Sequence, residues 1–128
     1  MAKKILSVIE SAYRATLEEQ DDTAVWLNHA MRAAGADLAV VLRGNAVNYA
    51  VKGQNAEGLA FGDRRQTNPP RIQEDVAKLA EKGVEVLLVE DDLRERGIER
   101  SELIEGVKLV PRNAMRRIIE SYDQVWHW

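Results

Sequence analysis

The chain has 128 residues, 45% of them hydrophobic and 30% charged, the composition of one globular domain and too apolar for a disordered segment. Eighteen Lys and Arg against 21 Asp and Glu leave a formal net charge of −3, which argues against a dedicated nucleic-acid binder, whose footprint is basic. No cysteine is present, and that excludes disulfides, thiolate metal sites, thiol nucleophiles and thiol redox chemistry.

Lys3 and Lys4 precede the apolar run 5–9, the first predicted strand. Glu10 ends that run far short of a signal-peptide core. No stretch approaches the roughly 20 apolar residues that cross a bilayer. The expectation is a cytoplasmic protein with no membrane or nucleic-acid partner. Residues 20–34 carry Ala24, Leu27, Ala30, Met31 and Ala34 at helical spacing, and Gly35 stands where a helix C-terminus favours positive φ. The run 38–42 is continuously apolar, as in a strand covered on both faces.

Val47 and Val51 at i, i+4 suggest a short helix over 45–52, followed by an aperiodic stretch from Gly53 to Thr67 that is long for a connection. Asn68 is placed to cap a helix with Pro69 at its first position and Ile72, Val76, Leu79 and Ala80 on one face, closed by Gly83. A third strand follows at 84–89, then a short helix opened by Asp91 and Asp92 and stopped by Gly97. Ser101 begins a further turn through Ile104. The fourth strand is Val107–Val110, ended by Pro111. Asn113 is expected to cap a last helix carrying Met115, Ile118, Ile119 and Tyr122, and the final strand is 125–128. Five alternations of strand and helix predict a mostly parallel sheet in a three-layer α/β/α sandwich, one domain over 1–128.

In open parallel sheets, ligands bind beyond the carboxyl ends of the strands. That rule selects Glu10 and Ser11, then Arg43, Asn45, Asn48 and Tyr49, then Glu90, Asp91 and Asp92, then Arg112 and Asn113. The candidate ligand-binding set is Arg43, Asn45, Asn48, Tyr49, Glu90, Asp91, Asp92 and Asn113. The acidic triplet 90–92 could hold magnesium or supply a general base. Consecutive residues on one turn rarely converge on an ion, however, and helix capping explains them as well.

His29 and His127 have no second histidine at ligand spacing, so no metal centre is expected, nor any cofactor. Gly53 and Gly58 have the separation of a phosphate-binding loop without the Lys-Ser/Thr that must follow. Neither a Gly-x-Ser-x-Gly nucleophile turn nor a dinucleotide glycine pattern occurs. Arg43, Arg64 and Arg65 could hold an anion by forked donors. Trp126 and Trp128 share one face of the last strand; on an edge strand they mark a subunit interface, where Trp is enriched.

Several stretches together resemble the DsrE/DsrF/DsrH-like superfamily, which includes sulfur-relay subunits of the Tus type. They are Lys3-Lys4-Ile5-Leu6, Ala46-Val47-Asn48-Tyr49-Ala50-Val51-Lys52-Gly53-Gln54, and Gly83-Val84-Glu85-Val86-Leu87-Leu88-Val89. Leu93-Arg94-Glu95-Arg96-Gly97-Ile98, Leu103-Ile104-Glu105-Gly106-Val107 and the closing Asp123-Gln124-Val125 complete the ordered set. The resemblance implies a five-stranded α/β/α sandwich of strand order 4-3-2-1-5, with the terminal strand at an edge. It also implies assembly into trimers or hexamers and protein partners of the sulfur-relay kind. Sulfur-carrying members hold a persulfide on a cysteine just after the third strand, where this chain reads Val89-Glu90-Asp91-Asp92. A carboxylate cannot form a persulfide. The expected role is therefore a non-catalytic, oligomeric accessory module. The competing roles are a small-molecule or anion-binding protein using Arg43, Asn48, Tyr49, Asp92 and Asn113, and metal-dependent hydrolysis at 90–92.

Overall fold

A computed structural model describes residues 3–13 and 21–128. Five strands form one sheet: β1 (Lys4–Ile9), β2 (Asp37–Leu42), β5 (Glu85–Val89), β6 (Val107–Val110) and β7 (Gln124–His127), in the order β6-β5-β2-β1-β7. Every pairing in it is parallel. Counting only these five, the order is 4-3-2-1-5, as the resemblance implied. Two further strands, β3 (Ala60–Phe61) and β4 (Arg64–Arg65), pair only with each other. The helices are α1 (Thr23–Ala33), α2 (Ile72–Glu81), α3 (Glu90–Glu95) and α4 (Met115–Glu120). Among the described residues, no helix is long and apolar enough to cross a membrane.

Parallel strands need crossovers, and the crossovers cover both sheet faces. Alternate residues therefore serve two cores. Val40 and Leu42 of β2, Val86 and Leu88 of β5 and Ile9 of β1 pack with Val25 of α1 and with Val76 and Leu79 of α2. Val41, Leu87, Leu6 and Val8 point the other way and meet Met115 of α4, with Ile118 and Tyr122 at the margin. This two-sided burial is why β2 and β5 are uninterrupted apolar runs.

The two long helices stop for a backbone reason. Beyond α1, the Ala36 N–H reaches the Met31 carbonyl at 3.0 Å, and beyond α2 the Val84 N–H reaches Leu79 at 3.1 Å. Such closures need a left-handed residue in between, supplied by Gly35 at φ +93° and Gly83 at φ +84°.

Several boundaries differ from the sequence reading. Helix α1 begins after Asp22, whose Oδ1 accepts the Val25 N–H at 2.9 Å; Gln20 lies outside the described residues. Helix α2 begins at Ile72, not after Asn68. Pro70 disfavours helical geometry at the residue before it, so Pro69 cannot open the helix. Asn113 does not cap α4: it lies within a 3₁₀ turn, Arg112–Ala114, that Pro111 starts. The suggested helix at 45–52 is a 3₁₀ segment, Gly44–Ala50. The aperiodic stretch contains the β3–β4 hairpin.

Leu88 is fully buried in a strand with neighbours on both sides. Leu88→Ala is expected to lower stability by about 2–5 kcal/mol, read as a lower urea midpoint at unchanged m-value.

Candidate functional site

All five sheet strands end on one side, so the segments leaving β2, β5 and β6 meet there. The 3₁₀ segment after β2, helix α3 after β5 and the 3₁₀ turn after β6 bring Asn45, Asp92 and Arg112 together. Asp92 is 6% exposed. Its Oδ2 accepts the Gly44 N–H at 2.8 Å, and its Oδ1 accepts Arg112 Nη2 at 2.5 Å. The same Nη2 reaches Glu95 Oε2 at 2.8 Å, while the Arg112 main-chain N–H donates to Asp91 Oδ1 at 2.8 Å. One turn along α3, Arg96 donates to the Asp92 carbonyl at 3.0 Å and clasps Asn45 Oδ1 with Nε and Nη2 at 3.2 and 3.0 Å. Gly44 is required at its position: φ is +56°, and a Cβ there would lie 3.2 Å from Glu10 Cγ.

The charges follow this geometry. Burial works against ionisation of Asp92, but the Gly44 N–H and the Arg112 guanidinium outweigh it and hold the carboxyl below its usual range. The Arg112 N–H does the same for Asp91, and the Arg112 side chain for Glu95. Glu95 and then Asp92 push the Arg112 guanidinium further up.

A second cluster surrounds Tyr49, which is fully buried. Its hydroxyl donates to Asp22 Oδ2 at 2.6 Å and accepts the Tyr13 N–H at 2.7 Å. Burial first, then the Asp22 contact, pushes the phenol up. Tyr13 stands edge-on to Tyr49 with ring centroids 5.1 Å apart, at a strained φ of +58°. Its hydroxyl donates to Gln54 Oε1, whose amide in turn donates to the carbonyls of Asn48 and Val51.

The candidate residues fall into distinct places. Asn45 and Asp92 join through Arg96, and Asp91 joins through Arg112. Asn48 Nδ2 donates to the Asn45 carbonyl at 2.9 Å. Glu90 turns outward to Arg100 at 3.3 Å. Arg43 lies 3.9 Å from Glu10, whose other oxygen meets His127 Nε2 at 2.7 Å. Asn113 is exposed on the 3₁₀ turn. Tyr49 sits in the core rather than in a crevice. The contribution of Arg96 and Glu95 was missed, although Asp92 and Arg96 stand at the i, i+4 spacing of a helical pair. No group of three or more His, Cys, Asp or Glu that could hold a metal occurs among the described residues.

Strand β7 ends at His127, so Trp126 lies on it and Trp128 just beyond; their rings meet edge-on with centroids 6.3 Å apart, and they are 36% and 39% exposed. Trp128 is half committed inward: its Nε1–H donates to buried Ser7 Oγ at 3.1 Å, which also receives Asn28 Nδ2.

Comparison with known proteins bears on this arrangement. The DsrE/DsrF-like family model matches residues 3–127. The YchN protein from E. coli is 24% identical over 100% of both chains, with a TM-score of 0.73. A protein of unknown function from Bacteroides thetaiotaomicron is 10% identical over 98% of this chain and 95% of its own, with a TM-score of 0.68. Another from Methanobacterium thermoautotrophicum is 18% identical over 98% and 99%, with a TM-score of 0.60. These structures share the fold. No curated protein matches.

Two outcomes are expected. Asp92→Asn lowers stability at neutral pH by about 1–3 kcal/mol, the worth of hydrogen bonds to a charged group. The folded carboxyl titrates below its unfolded value, so this contribution is present above the unfolded range and fades as pH falls through the folded one. Denaturant melts of both proteins therefore differ at pH 7 and converge in acid. Tyr49→Phe strands a buried Asp22 oxygen and lowers stability by about 1–3 kcal/mol, measured the same way.

Proposed function

The chain belongs to the DsrE/DsrF-like family, and from that premise we propose that it is a non-catalytic, self-associating accessory module unable to carry persulfide sulfur. One observation carries the reading. The stretch after the third sheet strand in sequence, where sulfur-carrying relatives hold their cysteine, is Glu90-Asp91-Asp92, and the chain contains no cysteine at all. Asp92 is bound by Gly44, Arg112 and the turn of its own helix. Its oxygens are spent on holding three strand-end segments together. A carboxylate so engaged is a poor nucleophile, and oxygen lacks the polarisable lone pairs that accept sulfane sulfur.

Self-association is supported by the two sheet edges, which differ. Strand β6 carries Lys108, paired to Glu85 at 3.6 Å, and runs into Pro111; charge and proline blunt an edge. Strand β7 reads Gln-Val-Trp-His, without Lys or Pro, and exposes Val125 and Trp126, with Trp128 exposed just beyond its end. Large aromatic side chains beside an unprotected edge suit a contact between protein surfaces.

The test is incubation of the purified protein with radiolabelled sulfane sulfur and a sulfurtransferase donor, followed by denaturing mass spectrometry. No covalent label is expected, and stoichiometric transferable label would overturn the reading. Light scattering of the wild type and of Trp126→Ser checks the second part: an oligomer that loses mass on substitution is expected, and a monomeric wild type refutes it.

A further inference from the structure

The β3–β4 hairpin is a built element whose strand residues are all exposed. Gly62, with φ +60°, opens its two-residue turn, as a type II′ hairpin turn requires. Ala60 pairs with Arg65, and Phe61 with Arg64. The base is clasped: the Gln66 N–H donates to the Leu59 carbonyl at 2.8 Å, and the Leu59 N–H to Gln66 Oε1 at 3.1 Å. The segment leading into it is tied to α2, since Gln73 donates to Asn55 Oδ1 at 2.7 Å and Asn55 to Glu74 Oε1 at 3.1 Å. A fixed base thus presents a free tip.

The tip has unusual contents. Phe61, the chain's one phenylalanine, is 74% exposed. The side chains of Arg64 and Arg65 are exposed and make no hydrogen bond or ion pair among the described residues, whereas those of eight other described arginines do. A two-stranded hairpin alone is marginal in water. Phe61 lies across the ladder from Arg64, and Ala60 from Arg65, so an exposed aromatic and an unpaired guanidinium share one face of the ribbon. That is the make-up of an interface anchor, since aromatic residues and Arg dominate such centres.

A complementary surface lies at the β6 edge of the same molecule. A groove of about 360 Å³ is lined by Leu103, Ile104, Val107 and Leu109, with Glu105, Gly106 and Arg100 around them. Its volume is in the range of about 300–1,000 Å³ that accepts compact groups. The residues from Glu99 to Glu105 bring three carboxylates and one arginine, and that arginine, Arg100, is paired with Glu90. Glu105 is exposed and has no partner among the described residues.

We propose that the hairpin of one copy docks in the β6-side groove of the next, Phe61 against its apolar side chains and Arg64, on the same face of the ribbon, against its acidic flank. The occupant is a second copy of this chain because one molecule carries both halves, matched in charge and in apolar character. Such a contact is heterologous, joining different patches on the two copies, and so runs head to tail. It rests on the self-association proposed above but uses a different surface from β7.

The test is a charge-swap series in the full chain, read by sedimentation equilibrium. Arg64→Glu with Arg65→Glu, and separately Glu105→Lys, each weaken association, the double swap by roughly a hundredfold because like charges then meet at the contact. A chain carrying all three substitutions regains much of that loss. Photo-crosslinking from a benzophenone at position 61 is expected to reach residues 103–109 of another copy. Unchanged association on Arg64→Glu with Arg65→Glu, absence of recovery in the combined chain, or crosslinks confined to β7 would each overturn the contact. In the last two cases, a wild type that still associates leaves the broader reading standing.

Discussion

A parallel sheet sends every strand's carboxyl end to the same side, so the segments leaving those ends must be satisfied by one another. Here much of that task falls on a single buried carboxylate. Asp92 stands in the short helix after β5, takes a main-chain N–H from the segment after β2 and a guanidinium from the segment after β6. It thereby ties three neighbouring strand ends, and Arg96 repeats the tie to Asn45 from one helical turn further on. The depressed titration of Asp91, Asp92 and Glu95 and the raised titration of Arg112 express one closed circuit of charge. Each side chain in it is spoken for by a neighbour.

This circuit bears on chemistry as well as stability. Crevices beyond strand ends are where such folds place ligands, and polar residues are present here in number. Most are directed at protein groups: Asp92 to a glycine N–H, Asn45 to an arginine, Tyr49 to a helix-capping aspartate within the core. A reactive group is usually accessible and poised by a base or a shifted titration toward neutrality. The shifts in this circuit run the opposite way, fixing charges rather than readying protons. The molecule's less committed features lie elsewhere, at the β7 edge and on the β3–β4 hairpin, and both are surfaces suited to protein contact.

Local sequence signals carried through wherever they involved one element's own backbone or one strand's burial. The unbroken apolar runs of β2 and β5 reported strands covered on both faces, and Gly35, Gly83 and Gly97 marked helix ends that need positive φ. They faltered where a neighbour competed. Asn68 and Pro69 have the chemistry of a helix start, but Pro70 forbids it. Asn113 has the chemistry of a cap, but Pro111 starts the turn two residues earlier. The acidic triplet was legible as helix-opening charge, and the aromatic pair as neighbouring rings.

Composition alone determined that the chain offers no cysteine thiol, because no arrangement in space creates one where none is encoded. Residue order determined the five-fold alternation of strand and helix, since periodicity is a local property of burial. Only the tertiary structure decided that Asp92, Arg112 and Gly44 meet, that Trp128 is tethered to Ser7, and that Phe61 stands exposed. Those contacts span 20 to 121 residues, and no spacing rule reaches so far: they exist because the crossovers of a parallel sheet bring distant segments to one edge.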